Sequence, residues 1–426
     1  MTILVHIRQS IRYVSTKGKY LLLFSNFTFS YSYFLQGHCH PRLVNTLTEQ
    51  AKKLTLTSRA FHNDRLGPFE EYITKMFGFD RVLPMNSGVE ACETAIKLGR
   101  RWAYDIKGVP EDQARCIFAT NNFWGRSIAA VSSSTDPDSY TGYGPLLPGM
   151  NLVPYNDLNA LEEQFKADPN IASFMVEPIQ GEAGVVLPDE GYLKGVRELC
   201  SKYNVLFIAD EVQTGLARTG KRLACDWEDV QPDLLILGKA LSGGILPVSA
   251  VLASDEVMLT IKPGQHGSTY GGNPLACAVA MEALQIIEDE KLSRRSEELG
   301  DWLRKSLSEL VTGDNKEQDD AGFRYTGGGG VVQQVRGKGL MNAVVIQPQR
   351  RKANSTIGDS SSDSITAWDV CMELKSEGLL AKPTHGNIIR FAPPLIISKE
   401  QLEESAEIVK KAIRKVEAET DGPLDA

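Results

Sequence analysis

The chain has 426 residues, 42% of them hydrophobic, and a formal net charge of −8. That length can bury two ordinary cores, and the acidic balance argues against a nucleic-acid partner, which calls for a basic face. No apolar run nears the length needed to cross a bilayer, so a soluble protein with no membrane partner is expected. The seven cysteines (Cys39, Cys92, Cys116, Cys200, Cys225, Cys277 and Cys371) are odd in number, scattered and without a C-x-x-C pair. They fit free thiols in a reducing compartment. His38 and His40 flank Cys39, but no second ligand cluster joins them, and no metal is expected.

In chain order, residues 1–41 form an atypical N-terminal segment that is expected to belong to the smaller domain. It is basic, and the first acidic residue of the chain is Glu49, as in mitochondrial presequences. Its stretch LLLFSNFTFSYSYFL holds four Phe and two Tyr with neither glycine nor charge, which suits neither a surface loop nor an alternating strand. From about residue 42 helical and strand-like segments alternate. Residues 70–77 and 88–104 carry helical spacing. Residues 116–119, 172–176, 205–209 and 234–237 are short, nearly all-apolar runs, read as strands covered on both faces of a parallel sheet. A helix from Pro274 to about Glu290 closes a large domain over 42–291. Residues 292–426 read as a smaller α+β domain with loop insertions near 312–330 and 349–364, strand-like pieces at 342–346 and 388–391, and a last helix from Lys399 to about Glu417. The fold class is α/β.

Ligands of open parallel sheets sit beyond the carboxyl ends of the strands. In LLILGKALSGG, Lys239 follows such an end, and in VLFIADEVQTG so does Asp210. A lysine there can form a Schiff base, and an aspartate can hold a protonated pyridine nitrogen; pyridoxal phosphate needs both. Asp210 could equally be a helix cap or half of an ion pair. MNSGVEACETAIKL places Ser87, Gly88 and Val89 at a helix start, suited to a phosphate, although Ser87 and Glu90 also make a capping box. HGSTYGGNPLA offers Ser268 and Thr269. Phe123, in NNFWGR, could stack on a flat ring or simply join the core.

With these residues in view, the chain resembles the class-III, fold-type-I pyridoxal-phosphate-dependent aminotransferases, and within them the ornithine-directed branch. QGHCHP, LTLTSRAF, NFWGR, FMVEPIQGEAGVV, LGKALSGG and LLAKPTHGNIIRFAPPL carry the resemblance over roughly residues 36–420. It implies a fold-type-I transferase with a large, mainly parallel-sheet domain and a smaller α+β domain. It also implies pyridoxal 5'-phosphate as cofactor, and ornithine and 2-oxoglutarate as substrates. By the same resemblance Lys239 is the Schiff-base lysine and proton shuttle, and Asp210 pairs with the ring nitrogen. Gln213 lies near the ring hydroxyl, Phe123 stacks on the ring, and Gly88, Val89 and Ser87 hold phosphate. Thr269 reaches the phosphate of a neighbouring subunit, which implies a homodimer or larger homo-oligomer. Arg126 is the partner of the ornithine α-carboxylate and Arg390 that of the 2-oxoglutarate α-carboxylate. Glu182 pairs with Arg390 in one half-reaction and swings away in the other, because an uncompensated buried arginine is costly. Glu177 orients neighbours rather than touching substrate.

Acetylornithine and 4-aminobutyrate aminotransferases are the nearest alternatives, and a binding protein on the same fold is a third. A dinucleotide-binding dehydrogenase lacks its G-x-G-x-x-G between strand and helix. Tyr31 falls at the position of a substrate-pocket tyrosine, yet the segment leading to it from Tyr20 is several residues too long. Residues 1 to about 35 are therefore expected to be partly foreign to the fold, with an incomplete substrate pocket and lower solubility. A cytoplasmic location is expected, with the mitochondrial matrix as the alternative.

Overall fold

The computed structural model describes residues 35–312, 317–319, 322–327, 330–357 and 363–423. Tyr31 and the rest of the segment before residue 35 lie outside these described residues. The chain divides into two units, one of residues 39–293 and one that joins residues 35–38 to 294–423. The sequence reading divides it at 41/42 and 291/292.

The larger unit is built on seven strands: β1 (Arg81–Met85), β2 (Arg115–Ala119), β3 (Met150–Val153), β4 (Ile171–Val176), β5 (Leu206–Asp210), β6 (Leu234–Leu237) and β7 (Ser249–Ala253). Their spatial order is β1-β7-β6-β5-β4-β2-β3. The pairs from β3 to β6 are parallel, and β7 runs antiparallel to both β6 and β1. Every residue of β4, β5 and β6 is buried, as unbroken apolar runs covered on both faces require. Alternate residues feed separate cores. Cys116, Phe118, Leu206 and Ile208 face one, and Ile117, Ala119, Phe207 and Ala209 the other.

The helix Gly88–Trp102 covers one face; it continues as a π-helical turn, Ala103–Lys107, and stops at Gly108 with φ 82°. The helix Leu66–Phe77 ends at Gly78 in the left-handed region, φ 73°, where a side chain would be strained. The helix Pro274–Asp289 has Asn273 as its cap and proline in its first turn, both standard start signals.

The smaller unit holds an antiparallel sheet in the order Pro383–Thr384, Ile388–Phe391, Met341–Ile346, Val332–Lys338, Arg324–Thr326, Glu317–Gln318. The helix Lys399–Ala418 buries Leu402, Ala406, Val409 and Ile413 on one stripe. The stretches 312–330 and 349–364, expected as loops, contain short strands in their described parts. Two of these strands carry a buried side chain, Tyr325 and Gln349, and buried backbone must pair with neighbours rather than with water; Glu317–Gln318 is exposed and pairs with Arg324–Thr326 as a sheet edge.

Candidate active site

Asp210 is the last residue of β5, and Lys239 stands two residues past the end of β6. Because β1 and β6 both run antiparallel to β7, the carboxyl end of β1 reaches the same edge of the sheet. Ser87 and Gly88 follow it there. The turns after β2 and β4 bring Phe123 and Glu177 to that edge as well. Five strand ends thus converge in one unit.

Val212 ties three of them together. A Cβ on Gly88 would lie 3.2 Å from its Cγ1 and a Cβ on Gly238 3.3 Å from the same atom. Both glycines therefore sit close on Val212, which packs the helix start and the lysine turn against the residue two beyond Asp210.

Ser87 caps the helix Gly88–Trp102. Its hydroxyl accepts the Glu90 amide, and the Ser87 amide in turn donates to the Glu90 carboxylate at 2.6 Å. Both halves of the capping box are therefore formed, and the hydroxyl is engaged in it. The Gly88 and Val89 amides remain at the positive end of the helix dipole, in the turn where no preceding carbonyl exists to take them. Ser249 on β7 donates its hydroxyl to the Ser87 carbonyl at 2.7 Å, fixing the turn from the sheet side.

Glu177 is buried, and each of its oxygens accepts a backbone amide, Phe123 at 2.9 Å and Gly181 at 3.1 Å. It thereby fixes both the Phe123 turn and the start of the 180–186 hairpin, whose tip carries Glu182 half-buried. Gln213 is buried against Gly181, where an added Cβ would lie 2.7 Å from its Cδ. Arg126 is exposed, with its guanidinium 5.6 Å from the Phe123 ring centroid, a cation–π contact. Arg390 sits buried in the strand Ile388–Phe391 of the smaller unit.

Asp210 and Glu177 are both fully enclosed. Burial raises the two carboxyls above their usual range, the negative charge of Asp210 lifts Glu177 further, and the Lys239 cation pulls both back. An enclosed carboxylate in this state favours any cation brought to it.

The family assignment rests on sequence and structure together. The class-III aminotransferase family matches residues 9–413. The chain belongs to this family. Among curated relatives, the mitochondrial ornithine aminotransferase of Drosophila melanogaster is 59% identical over 384 residues, covering 90% of this chain and 81% of that protein. Among solved structures, the ornithine aminotransferase of Toxoplasma gondii superposes with a TM-score of 0.82 at 48% identity, covering 91% of this chain and 85% of that one. An acetylornithine aminotransferase from Elizabethkingia anophelis gives a TM-score of 0.76 at 55% identity, covering 90% and 88%.

Class-III aminotransferases use pyridoxal phosphate, and the geometry suits it. An enclosed carboxylate at the end of β5, the start of the helix Gly88–Trp102 and a lysine past the end of β6 lie at one edge of the sheet. Val185, Leu216, Ala217 and Lys239 all have positive φ, at 57°, 58°, 72° and 42°, values that a β-branched residue such as Val185 seldom adopts.

Two further groups escaped the sequence reading. Gly125 lies beside the turn that holds Gly88 and Val89, and a Cβ there would fall 2.5 Å from Val89 Cγ2 and 2.7 Å from its Cβ. Since Val89 Cβ is fixed to the backbone, Gly125→Ala must push the two turns apart. Fluorescence titration should show pyridoxal phosphate binding weakened about tenfold, with a stability loss of about 1–3 kcal/mol. Unchanged affinity would count against the placement of the turn.

His266 is the other. Thr94 donates its single hydroxyl proton to the Glu90 carbonyl at 2.7 Å, so the His266 Nε2 at 2.8 Å must be the donor to it. Nδ1 is then the bare nitrogen, and it accepts Lys97 Nζ at 2.9 Å. This neutral ring anchors the loop that carries Ser268 and Thr269. Burial, then the Lys97 and Arg59 cations, lower its pKa from 6.5. The unfolded chain therefore takes up the proton first, and the ring costs stability as pH falls below about 6.5. Melting curves from pH 7.5 to 5.5 should show the parent losing stability relative to His266→Gln. Parallel acid limbs would exclude this role.

Proposed function

We propose that this aminotransferase moves the δ-amino group of L-ornithine to 2-oxoglutarate, giving glutamate 5-semialdehyde, which cyclises to pyrroline-5-carboxylate, and glutamate. The observation that carries the substrate choice is the 59% identity to an ornithine aminotransferase across nine-tenths of the chain. The chemistry is carried by Lys239 and Asp210 at adjacent strand ends. Pyridoxal phosphate, when bound, supplies an aldehyde that takes up the amino group and a ring that withdraws electrons. Lys239 then carries the proton away from ornithine Cδ. Asp210 keeps the ring nitrogen protonated, Gln213 meets the ring hydroxyl, and Phe123 covers one face. Gly88 and Val89, with Ser87 beside them, hold the phosphate. Thr269 serves the phosphate of a second subunit in a homodimer.

Arg126 receives the ornithine α-carboxylate, exposed and steered by the Phe123 ring. Arg390 receives the α-carboxylate of 2-oxoglutarate, with Glu182 neutralising it in the ornithine half-reaction and releasing it in the other. A guanidinium fork matched to a carboxylate is not replaced by an uncharged amide. Arg390→Gln should therefore slow the 2-oxoglutarate half-reaction about a hundredfold, as loss of a charge-assisted pair predicts. The ornithine half-reaction should stay within about threefold of the parent, since its α-carboxylate belongs to Arg126. Equal losses in both halves would remove Arg390 from this role.

The 55% identity to an acetylornithine aminotransferase supports a second reading. Stopped-flow half-reactions of the cofactor-loaded protein with ornithine, N-acetylornithine and 4-aminobutyrate separate the two. A larger kcat/KM for acetylornithine would replace the first reading. Relatives from fly, rat and plant are named mitochondrial, which supports the mitochondrion over the cytoplasm as the compartment. Among the described residues no helix is long and apolar enough to cross a membrane.

A further inference from the structure

Cys92 lies on the second turn of the helix Gly88–Trp102, only 1% exposed, with its Sγ 3.7 Å from Asp210 Oδ2. The other oxygen of that carboxylate, Oδ1, accepts the Val212 amide at 3.0 Å. A carboxylate with one donor on each oxygen cannot turn about its Cβ–Cγ bond without giving up a bond, and inside a protein an abandoned acceptor is costly. The thiol is a donor here and nothing else. Burial, with Asp210, Glu177 and Glu93 as negative neighbours, pushes it well above its ordinary range, so the proton stays on sulfur.

The helix that presents Cys92 is the one whose first amides, Gly88 and Val89, face the phosphate position. One rigid element therefore sets the register of two points on the same ligand, its phosphate and its ring nitrogen. We propose that Cys92 is a positioning residue that aims the Asp210 carboxylate at the ring nitrogen of pyridoxal phosphate. This rests on the reading of Asp210 as that nitrogen's partner. With the thiol gone, Oδ2 loses its fixed donor and the carboxylate can rotate off the line of the N–H bond. The ring then holds its proton less firmly and withdraws electrons less well. Removal of the proton from ornithine Cδ slows, while ornithine, held through its α-carboxylate elsewhere, binds as before.

The test compares cofactor-loaded parent, Cys92→Ala, Cys92→Ser and Asp210→Asn. The readouts are the pH titration of the bound cofactor's absorbance, the ornithine half-reaction and the melting temperature. Cys92→Ala should move the spectroscopic midpoint and lower the maximal half-reaction rate about three- to tenfold, the scale of one hydrogen bond to a charged group, with the ornithine concentration for half-maximal rate unchanged. Cys92→Ser, which restores a donor of similar size, should return both toward the parent. A Cys92→Ala protein with parental spectrum and rate overturns the proposal. So does a Cys92→Ser protein that melts like the parent yet fails as alanine does, since volume alone would then explain the effect. If serine does not fold, the alanine result decides. A parental spectrum in Asp210→Asn would instead overturn the reading of Asp210 itself, whatever Cys92 does.

Discussion

Lys239→Ala is expected to cut ornithine turnover by about ten-thousandfold or more, because in the proposed reaction it removes both the covalent anchor and the group that carries the proton. The variant should nevertheless fold. Lys239 is half-buried beyond β6, and the preceding Gly238 packs the turn closely on Val212, a contact that the substitution leaves in place. The backbone supplies an independent check. At φ 42° the residue sits in the left-handed region, which costs a residue with a Cβ roughly 1–2 kcal/mol. Alanine keeps that strain and glycine relieves it, so Lys239→Gly should melt higher than Lys239→Ala while both are inactive. Calorimetry on the three proteins and a stopped-flow assay with ornithine read both effects. Residual turnover near the parental rate in either variant would take the lysine out of the reaction.

Asp210→Asn should lower the ornithine half-reaction by about a hundred- to a thousandfold, the scale of a lost preorganised charge in an enclosed site, and yet leave the cofactor-free protein as stable as the parent or more so. The two effects have one cause. Asp210 is 4% exposed and shares its surroundings with Glu177. Its folded pKa lies above the unfolded value, so the native state prefers the carboxyl protonated. Stability from that preference is present at low pH, falls as pH rises past the unfolded carboxyl range, and is gone above the folded pKa. At pH 7.5 the native chain holds an anion that burial opposes, and asparagine removes the charge at almost constant volume. Melting temperatures of cofactor-free parent and variant, measured at pH 5 and pH 8, should differ more at pH 8, in favour of the variant. A variant less stable than the parent at pH 8 would show that Asp210 is held by partners strong enough to outweigh its desolvation.

The strands expected at 116–119, 172–176, 205–209 and 234–237 differ from β2, β4, β5 and β6 by no more than one residue at either end. They were legible because a strand covered on both faces needs an unbroken apolar run. β1 and β3 were not. They are the two edges of the sheet, so each has one neighbour, and their compositions are mixed: β1 carries Arg81 and Pro84, β3 carries Asn151. β7, SAVLA, is buried and central but short and small in its side chains, a pattern that fits a helix equally well. Its antiparallel direction has no local signature at all.

For the site, the sequence by itself determined which residues leave the covered strands, because a carboxylate at the end of β5 and a lysine past the end of β6 stand out against apolar runs and small neighbours. It also determined the helix start at Ser87, whose cap obeys a three-residue spacing. The family signatures around Lys239 and Asp210 were legible for the same reason: they are contiguous. Only the tertiary structure decided that Val212 packs against Gly88 and Gly238, that Glu177 holds Phe123, that His266 bonds Thr94 and Lys97, and that Cys92 faces Asp210. The Cys92 contact spans 118 positions and the Thr94–His266 bond 172. Bonds of that range leave no periodicity or spacing in the chain, since they are set by which elements the sheet order brings side by side.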